Sequence, residues 1–349
     1  MGGVSGLGCP AKSVASATAF GFQQRPGGSG AAGRSARMRS LIVTVTANPA
    51  IDQIFITDRL AFDDRSYLRE RAEAPGGRGI NASRMLHRLG AKTLAIAPCG
   101  GPTGKRFEAY LKDLGFAFEL VRIRNPIRTN RAVTDTHGLT VKLDEPGPLL
   151  EREEVKRLED AVLRRLPEAK WLLLCGSLPP GVPEDFYARL IRKASEAGVR
   201  TLLDADGTPL IEGLEARPSV SAPNQMEAER LLNRSLILRG HFHEAAEQIR
   251  EMGAETVILS LGSRGGVLAS EDVVAEVVPP RVEALCPIGA GDALNAAFVW
   301  AVTNGSNVLE AARWGVAAGT ASAKVPGLEF ADLDQIREVY AEVEVRPVG

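Results

Sequence analysis

From Met38 onward, short apolar runs alternate with longer amphipathic stretches, each bounded by Gly, Pro or Asn. "SLIVTVTA" (40–47) predicts a buried strand, "GINASRMLHRLG" (79–90) a helix closed by Gly90, and "TLAIAP" (93–98) the next strand. "GKRFEAYLKDLG" (104–115) predicts a second helix with a glycine stop. The rhythm resumes with a strand at 170–176, a helix at 183–198 and a strand at 200–205. Helices at 225–232 and 243–253, a strand at 256–262 and two short strands to about residue 278 follow. Helices at 290–304, 307–323 and 332–342 complete the pattern. Alternation of this kind implies an α/β fold with a mostly parallel central sheet flanked by helices.

Two segments break the rhythm. Residues 53–75 and 118–145 alternate apolar and polar positions, as half-exposed strands do. Both interrupt the α/β series, so they are expected to form one small antiparallel sheet standing off the main domain, as a lid or a dimer contact. The first 37 residues are rich in Gly, Ala, Ser and Arg and contain no acidic residue. They are expected to be a disordered extension, or the product of a start codon assigned too early, ahead of one domain spanning 38–349.

Composition narrows the function classes. A formal charge of −1 supplies no field to gather nucleic acid or an anionic membrane. The cysteines at 9, 99, 175 and 286 are scattered without CxxC spacing, which speaks for free thiols in a reducing, cytoplasmic setting. His241 and His243 lack companions for a metal set, and a surface or packing role is expected. No apolar run approaches the ~18–20 residues of a membrane span.

Several glycine-rich places invite a phosphate reading. "CGGPTGKR" (99–106) resembles a phosphate-binding loop but has Cys99 and Arg106 where that loop needs Gly and Ser or Thr. A plain strand-to-helix turn is expected there. "LGSRGG" (261–266) lets a ligand approach the backbone, or simply turns a tight hairpin. "PGGRGINAS" (75–83) exposes backbone N–H groups and Asn81 at a helix start. "TANPAID" (46–52) sets Asn48 and Asp52 just after the first strand. "APNQMEAE" (222–229) places Asn224 and Glu227 three apart on one N-terminal turn. They suit either a hydrated Mg²⁺ or an N-cap with its capping-box glutamate. "CPIGAGDALNAAFVWA" (286–301) puts Asp292 after a Gly-Ala-Gly turn, as a first-turn carboxylate or as a base beside an anion hole.

In combination these motifs resemble the PfkB, ribokinase-like, carbohydrate kinase family. "GGRGINAS" with Gly90 and Gly100 resembles its N-terminal signature, "PIGAGDALNAAF" its C-terminal one, and "PNQME" its N-x-x-E motif. "TANPAID", "IRTN" (127–130) and "CGSLPPGV" (175–182) point to the branch of 1-phosphofructokinase, tagatose-6-phosphate kinase and the minor 6-phosphofructokinase. The resemblance spans about residues 40 to 345 and implies a ribokinase-like fold with a β-sheet lid. It implies Asp292 as catalytic base and Gly289, Ala290 and Gly291 as the anion hole. Asp52, Gly77, Arg78, Asn81 and Arg128 would contact the sugar phosphate. Ser260, Gly262, Gly265 and Asn224 would hold the nucleotide, and Asn224 with Glu227 would hold Mg²⁺ through water.

The implied reaction is ATP-dependent phosphorylation of a hexose monophosphate, foremost fructose 1-phosphate to fructose 1,6-bisphosphate. A 6-phosphofructokinase or tagatose-6-phosphate kinase is the alternative, then a nucleoside or free-sugar kinase, then a sugar-binding regulator without turnover. Mg²⁺ with ATP is expected, a monovalent cation is allowed, and a homodimer through the lid is the expected assembly. Three positions depart from the branch. Arg78 replaces the lysine of GGKG, Cys286 replaces the usual Asp, Asn or Ser six residues before the base, and Ala222 replaces a lysine before Pro-Asn. A helix-terminal Asp292 is expected to stay ionised at neutral pH and to accept the substrate's proton late in a loose transition state.

Overall fold

Leu41–Thr46 (β1) is buried along its whole length, as an apolar strand must be when helices cover both faces of its sheet. A computed structural model describes residues 40–61, 64–137 and 139–348, and the expected N-terminal extension over 1–37 lies outside them. β1 leads into Ala50–Thr57 (β2) and Leu68–Gly76 (β3), then Arg78–Arg88 (α1), Thr93–Cys99 (β4), Gly101–Leu114 (α2) and Ala117–Arg122 (β5). Arg128–Asp135 (β6) and Thr140–Leu143 (β7) precede Arg152–Leu163 (α3), Ala169–Cys175 (β8), Phe186–Glu196 (α4), Arg200–Asp204 (β9) and Gly207–Glu215 (α5). Val220–Ser221 (β10), Gln225–Leu232 (α6), Arg239–Glu251 (α7), Thr256–Ser260 (β11), Gly266–Ala269 (β12) and Val274–Val278 (β13) follow. Ala290–Thr303 (α8), Val308–Ala323 (α9), Leu333–Glu342 (α10) and Glu344–Pro347 (β14) complete the order.

The main sheet has ten strands in the order β14-β13-β12-β11-β10-β9-β8-β1-β4-β5. From β11 to β5 every pairing is parallel, while β12, β13 and β14 add on antiparallel. Two apolar clusters, one on each face, fill the space under the helices. One includes Phe107, Phe186 and Tyr187, and the other Trp171, Phe298 and the alanine-rich faces of α8 and α9. Gly315 and Gly319 set how closely α9 approaches α8. A methyl at Gly319 would lie 2.8 Å from the Ala290 carbonyl oxygen, and one at Gly315 would lie 2.9 Å from that of Leu294. The first turn of α8 is thus held from behind by backbone contact. No helix among the described residues is long and apolar enough to cross a membrane.

The inserted sheet has the order β3-β2-β6-β7 and departs from expectation in two ways. It is mixed, because β2 and β6 run parallel, from Ala50 opposite Arg128 to Thr57 opposite Asp135. Both strands leave the same carboxyl edge of the parallel main sheet, so they share a direction, and only the return strands β3 and β7 are antiparallel. The second inserted segment is also shorter than 118–145. Its first part, β5, is the outer strand of the main sheet, paired with β4. An edge strand covered on one face shows the same alternation as a lid strand. Helices α3 and α5 and strands β10 and β14 add to the expected elements, and α7 starts four residues early, at Arg239. The imidazole of His241 accepts from the Ile237 and Leu238 N–H groups at that helix start. His243 meets Glu276 at 2.6 Å.

Phe298 is fully buried at the centre of α8, whereas Ile237, before α7, is 76% exposed. Phe298→Ala is therefore expected to destabilise the fold by about 3–5 kcal/mol in urea unfolding, and Ile237→Ala by less than about 0.5 kcal/mol. Equal costs would show that the α8–α9 layer is not the core it is described to be.

Candidate active site

Along the chain the main sheet grows from β1 toward β5, then returns to the other side of β1 with β8 and grows toward β11. This reversal leaves a crevice outside the carboxyl ends of β1 and β8, the position where open α/β sheets take ligands. A cleft of about 320 Å³ lies there. Thr46 and Asn48 line it from the end of β1, Asp52 from β2, Gly77, Arg78 and Asn81 from the start of α1, and Arg128 and Asn130 from β6. Gly176, Ser177, Gly289 and Asp292 line the opposite side. A space of about 170 Å³ under the inserted sheet shares Asp52, Asn130, Asp144 and Ile288 with it and adds Arg131 and Lys142. The inserted sheet therefore roofs the cleft. Seven of the residues expected from the sequence meet around it: Asp52, Gly77, Arg78, Asn81, Arg128, Gly289 and Asp292.

Asp292 sits in the first turn of α8 and is 8% exposed. Gly289, with φ +80°, turns the chain into the helix, and a side chain there would strike the Phe330 ring at 2.9 Å. The Ala290 N–H is used by the Pro287 carbonyl at 3.2 Å. The next amides, of Gly291 and Asp292, belong to a helix start whose N–H groups have no preceding turn to donate to, which is the anion-hole geometry. Asn81 Nδ2 donates to Asp292 Oδ2 at 2.8 Å, tying α1 to α8. Burial, and then the nearby Asp204 carboxylate, push the Asp292 carboxyl up to about 8, against the Asn81 hydrogen bond and the Arg78 charge. The expectation of a carboxylate fully ionised at neutral pH is thus corrected. A first-turn position favours the anion, but at this depth desolvation outweighs it.

Arg78, expected to contact the substrate, spends its guanidinium on protein carboxylates. Nη1 donates to Asp204 Oδ1 at 2.6 Å and Nη2 to Glu227 Oε1 at 2.8 Å. The Asp204 charge holds this guanidinium far above its usual range, with burial opposing. Arg128 donates Nη1 to the Glu145 carbonyl at 3.0 Å and Nη2 to the Asn48 carbonyl at 3.1 Å, so it pins the base of the lid to the end of β1. Asp52 accepts from Asn130 Nδ2 at 3.0 Å, and burial raises its carboxyl above the usual range. Gly76 makes room for it, since a methyl there would lie 2.0 Å from Asp52 Oδ2.

The residues expected to bind nucleotide and metal gather beside the cleft rather than in its lining. Asn224 and Ser260 form a parallel bridge, and the Ser260 N–H donates to the Pro223 carbonyl at 2.9 Å. The turn at 261–265 has φ +61° at Gly262 and +88° at Gly265. Gly262 faces open space, which suits close approach of a ligand to the backbone, whereas a methyl at Gly265 would strike the Val277 carbonyl. Asn224 and Glu227 form a reciprocal capping box. Asn224 Oδ1 accepts from the Glu227 N–H at 3.0 Å and Glu227 Oε2 from the Asn224 N–H at 2.8 Å. With Glu227 Oε1 taken by Arg78, each of the pair's oxygens already has a donor. Directly coordinated Mg²⁺ does not fit this pair as it stands.

The cleft nonetheless asks for a polar ligand. Thr46 Oγ1, Asn48 Oδ1, Asn130 Oδ1 and Arg128 Nε are buried without a partner, all on residues that line it. The oxygens are acceptors for the hydroxyl donors of a polyol. Asn130, Ser177 and Lys142 were not singled out from the sequence, and Asn130 was legible only within "IRTN". Asp204 was also missed, although a charged residue ending an otherwise apolar strand, "RTLLD", is a signal that could have marked it.

Residues 38–335 match the model of the pfkB family carbohydrate kinases. The chain is 31% identical to the ATP-dependent 6-phosphofructokinase isozyme 2 of Escherichia coli, over 86% of this chain and 98% of that one. It is 28% identical to the 1-phosphofructokinase of Borreliella burgdorferi, over 88% and 99%. The crystal structure of Escherichia coli phosphofructokinase-2 in complex with substrates and products superposes with a TM-score of 0.81 at 32% identity, covering 86% of this chain and 98% of that one. The same bacterial protein, solved with potassium and as a tetrameric inhibited form, gives TM-scores of 0.80 and 0.79. A ribokinase-like fold, the signature glycines and a carboxylate at the mouth of α8 thus agree with the family match: the chain belongs to the pfkB family of carbohydrate kinases, phosphotransferases that act on an alcohol.

Proposed function

We propose that this kinase transfers the terminal phosphoryl group of ATP to a hydroxyl of a hexose monophosphate, with fructose 1-phosphate as acceptor. The observation that carries the reading is Asp292, buried at the N-terminus of α8, held by Asn81, and opening onto a cleft whose lining has unpartnered polar atoms. The sugar hydroxyl loses its proton to Asp292, while the free amides of the α8 start stabilise charge on the transferring group. A carboxyl raised above the usual aspartate range accepts the proton readily, and the deprotonated form is the one that takes it. The turn around Gly262 receives the nucleotide, and Mg²⁺ held through water near Asn224 and Glu227 would supply countercharge to its phosphates. Both substrates place the work in the cytoplasm. A monovalent cation finds its support in the potassium complex of the bacterial relative, although the Cys286 side chain offers no oxygen ligand at the position before the α8 turn.

The existing phosphate of the acceptor lies under the lid, where Arg128, Arg131 and Lys142 bring positive charge toward the cleft. Lys142 makes no salt bridge among the described residues, although its charge reaches Asp52. Fructose 6-phosphate is the second reading, favoured by the 31% identity to the isozyme 2 enzyme over nearly its whole length. The inserted sheet also exposes Leu68 on one edge strand, next to Tyr67, and Leu143 on the other, at 56% each, which supports a homodimer formed through this sheet.

Three measurements test this account. Asp292→Asn lowers kcat by at least ~10²–10⁴ with little change in acceptor binding. In the wild type kcat/KM rises with pH through an ionisation near 8, because the active form of the free enzyme is the deprotonated base. Asp204→Asn moves that ionisation down by removing a like charge, and a profile that stays put would sink the assignment.

A coupled assay across fructose 1-phosphate, fructose 6-phosphate, tagatose 6-phosphate, fructose and ribose identifies the acceptor. Arg128→Ala is expected to cost roughly 10- to 150-fold in kcat/KM on the preferred phosphosugar, and much less on the free sugar. Equal losses on both would mean that Arg128 only holds the lid.

Sedimentation of the wild type is expected to show a dimer that Leu68→Glu with Leu143→Glu dissociates. A dimer that persists in this variant places the contact elsewhere.

A further inference from the structure

Arg78 opens α1, and its planar guanidinium spans two carboxylates from different parts of the chain, Asp204 at the end of β9 and Glu227 in α6. The carboxylates are 5% and 4% exposed. Their other oxygens are also committed. Asn295 Nδ2 donates to Asp204 Oδ2 at 3.0 Å, and the Asn224 N–H to Glu227 Oε2. Two buried carboxylates converging beside a phosphate-handling cleft are ordinary company for a hard divalent cation, which prefers oxygen ligands. Here every one of the four oxygens meets a protein donor instead, and the charge between them is a side chain.

We propose that Arg78 is a built-in counter-cation for Asp204 and Glu227, a positioning residue that fills the place of a divalent ion before nucleotide arrives. Divalent metal then reaches the cleft on the nucleotide's own phosphates. The fork matters as much as the charge, because a guanidinium offers separate N–H edges to two acceptors, while an ammonium on the same backbone position is a single point charge. The same charge acts on Asp292 and offsets part of what burial and Asp204 do to it. The inference leans on the kinase reading to say what the cleft is for. Its test uses neither substrate, so its failure would leave that reading standing.

The experiment titrates Mn²⁺ into nucleotide-free protein and follows the loss of the free-ion electron paramagnetic resonance signal. Arg78→Met is expected to bind about one Mn²⁺ per chain at least ~10-fold more tightly than the wild type, and Arg78→Met with Glu227→Gln to lose that gain. A wild type that binds one Mn²⁺ as tightly as Arg78→Met, in a way that Glu227→Gln abolishes, overturns the proposal. So does a folded Arg78→Met variant that gains nothing. Two unpaired buried carboxylates can also unfold the variant, so its thermal melt is followed by circular dichroism with and without Mn²⁺. Recovery of a cooperative melt by Mn²⁺, absent when Glu227→Gln is added, supports the proposal, and no recovery overturns it.

Discussion

The carboxyl groups of Asp52, Asp204, Glu227 and Asp292 are gathered in or behind one crevice of this molecule, and keeping them there is the constraint that the surrounding structure answers. Burial alone penalises each ionised form by several kcal/mol unless hydrogen bonds or an opposite charge compensate. Asn81 serves Asp292, Asn130 serves Asp52, and Asn295 and Arg78 share Asp204. These donors come from α1, β6 and α8, so the electrostatic requirement also fixes how those elements meet.

The scaffolding around the crevice follows from that requirement. The first turn of α8 keeps its place because Gly315 and Gly319 let α9 press against its carbonyls, and because Gly289 leaves room for Phe330. Phe330 is in turn held by α1, through Arg88 Nη1 to its carbonyl at 2.7 Å and the Arg84 guanidinium 5.1 Å from its ring centre. A shift of α1 would therefore disturb Asp292 twice, directly through Asn81 and indirectly through the turn that precedes it. The lid is attached with comparable economy. Arg128 ties β6 to the carbonyl after β1, so the roof of the cleft and the strand beneath it share one side chain.

The Asp292 carboxyl, pushed up to about 8, is a stronger base than an ordinary aspartate. Burial raises it most and the neighbouring Asp204 adds to this, while the Asn81 hydrogen bond and the Arg78 charge oppose them. Moderate basicity here is a balance between one buried anion and one buried cation, each on a different element, rather than a property of the GAGD sequence.

Periodicity along the chain was enough to determine the α/β class, the buried strands and most helices, because alternation of apolar runs with amphipathic stretches reflects layers that local spacing alone must satisfy. The glycine turns and the residues Asp292, Asn81, Asp52, Asn224 and Glu227 were legible for the same reason, since each belongs to a short motif at a strand end or helix start. Two matters were not. Whether β5 belonged to the lid or to the main sheet could not be read, because a half-covered edge strand and a lid strand carry the same alternation, and only pairing with β4 decides it. The fate of Arg78 was the other: its chemistry fits a phosphate and a carboxylate equally well. Its partners Asp204 and Glu227 lie 126 and 149 residues away, and only the folded chain brings their charges within hydrogen-bonding distance.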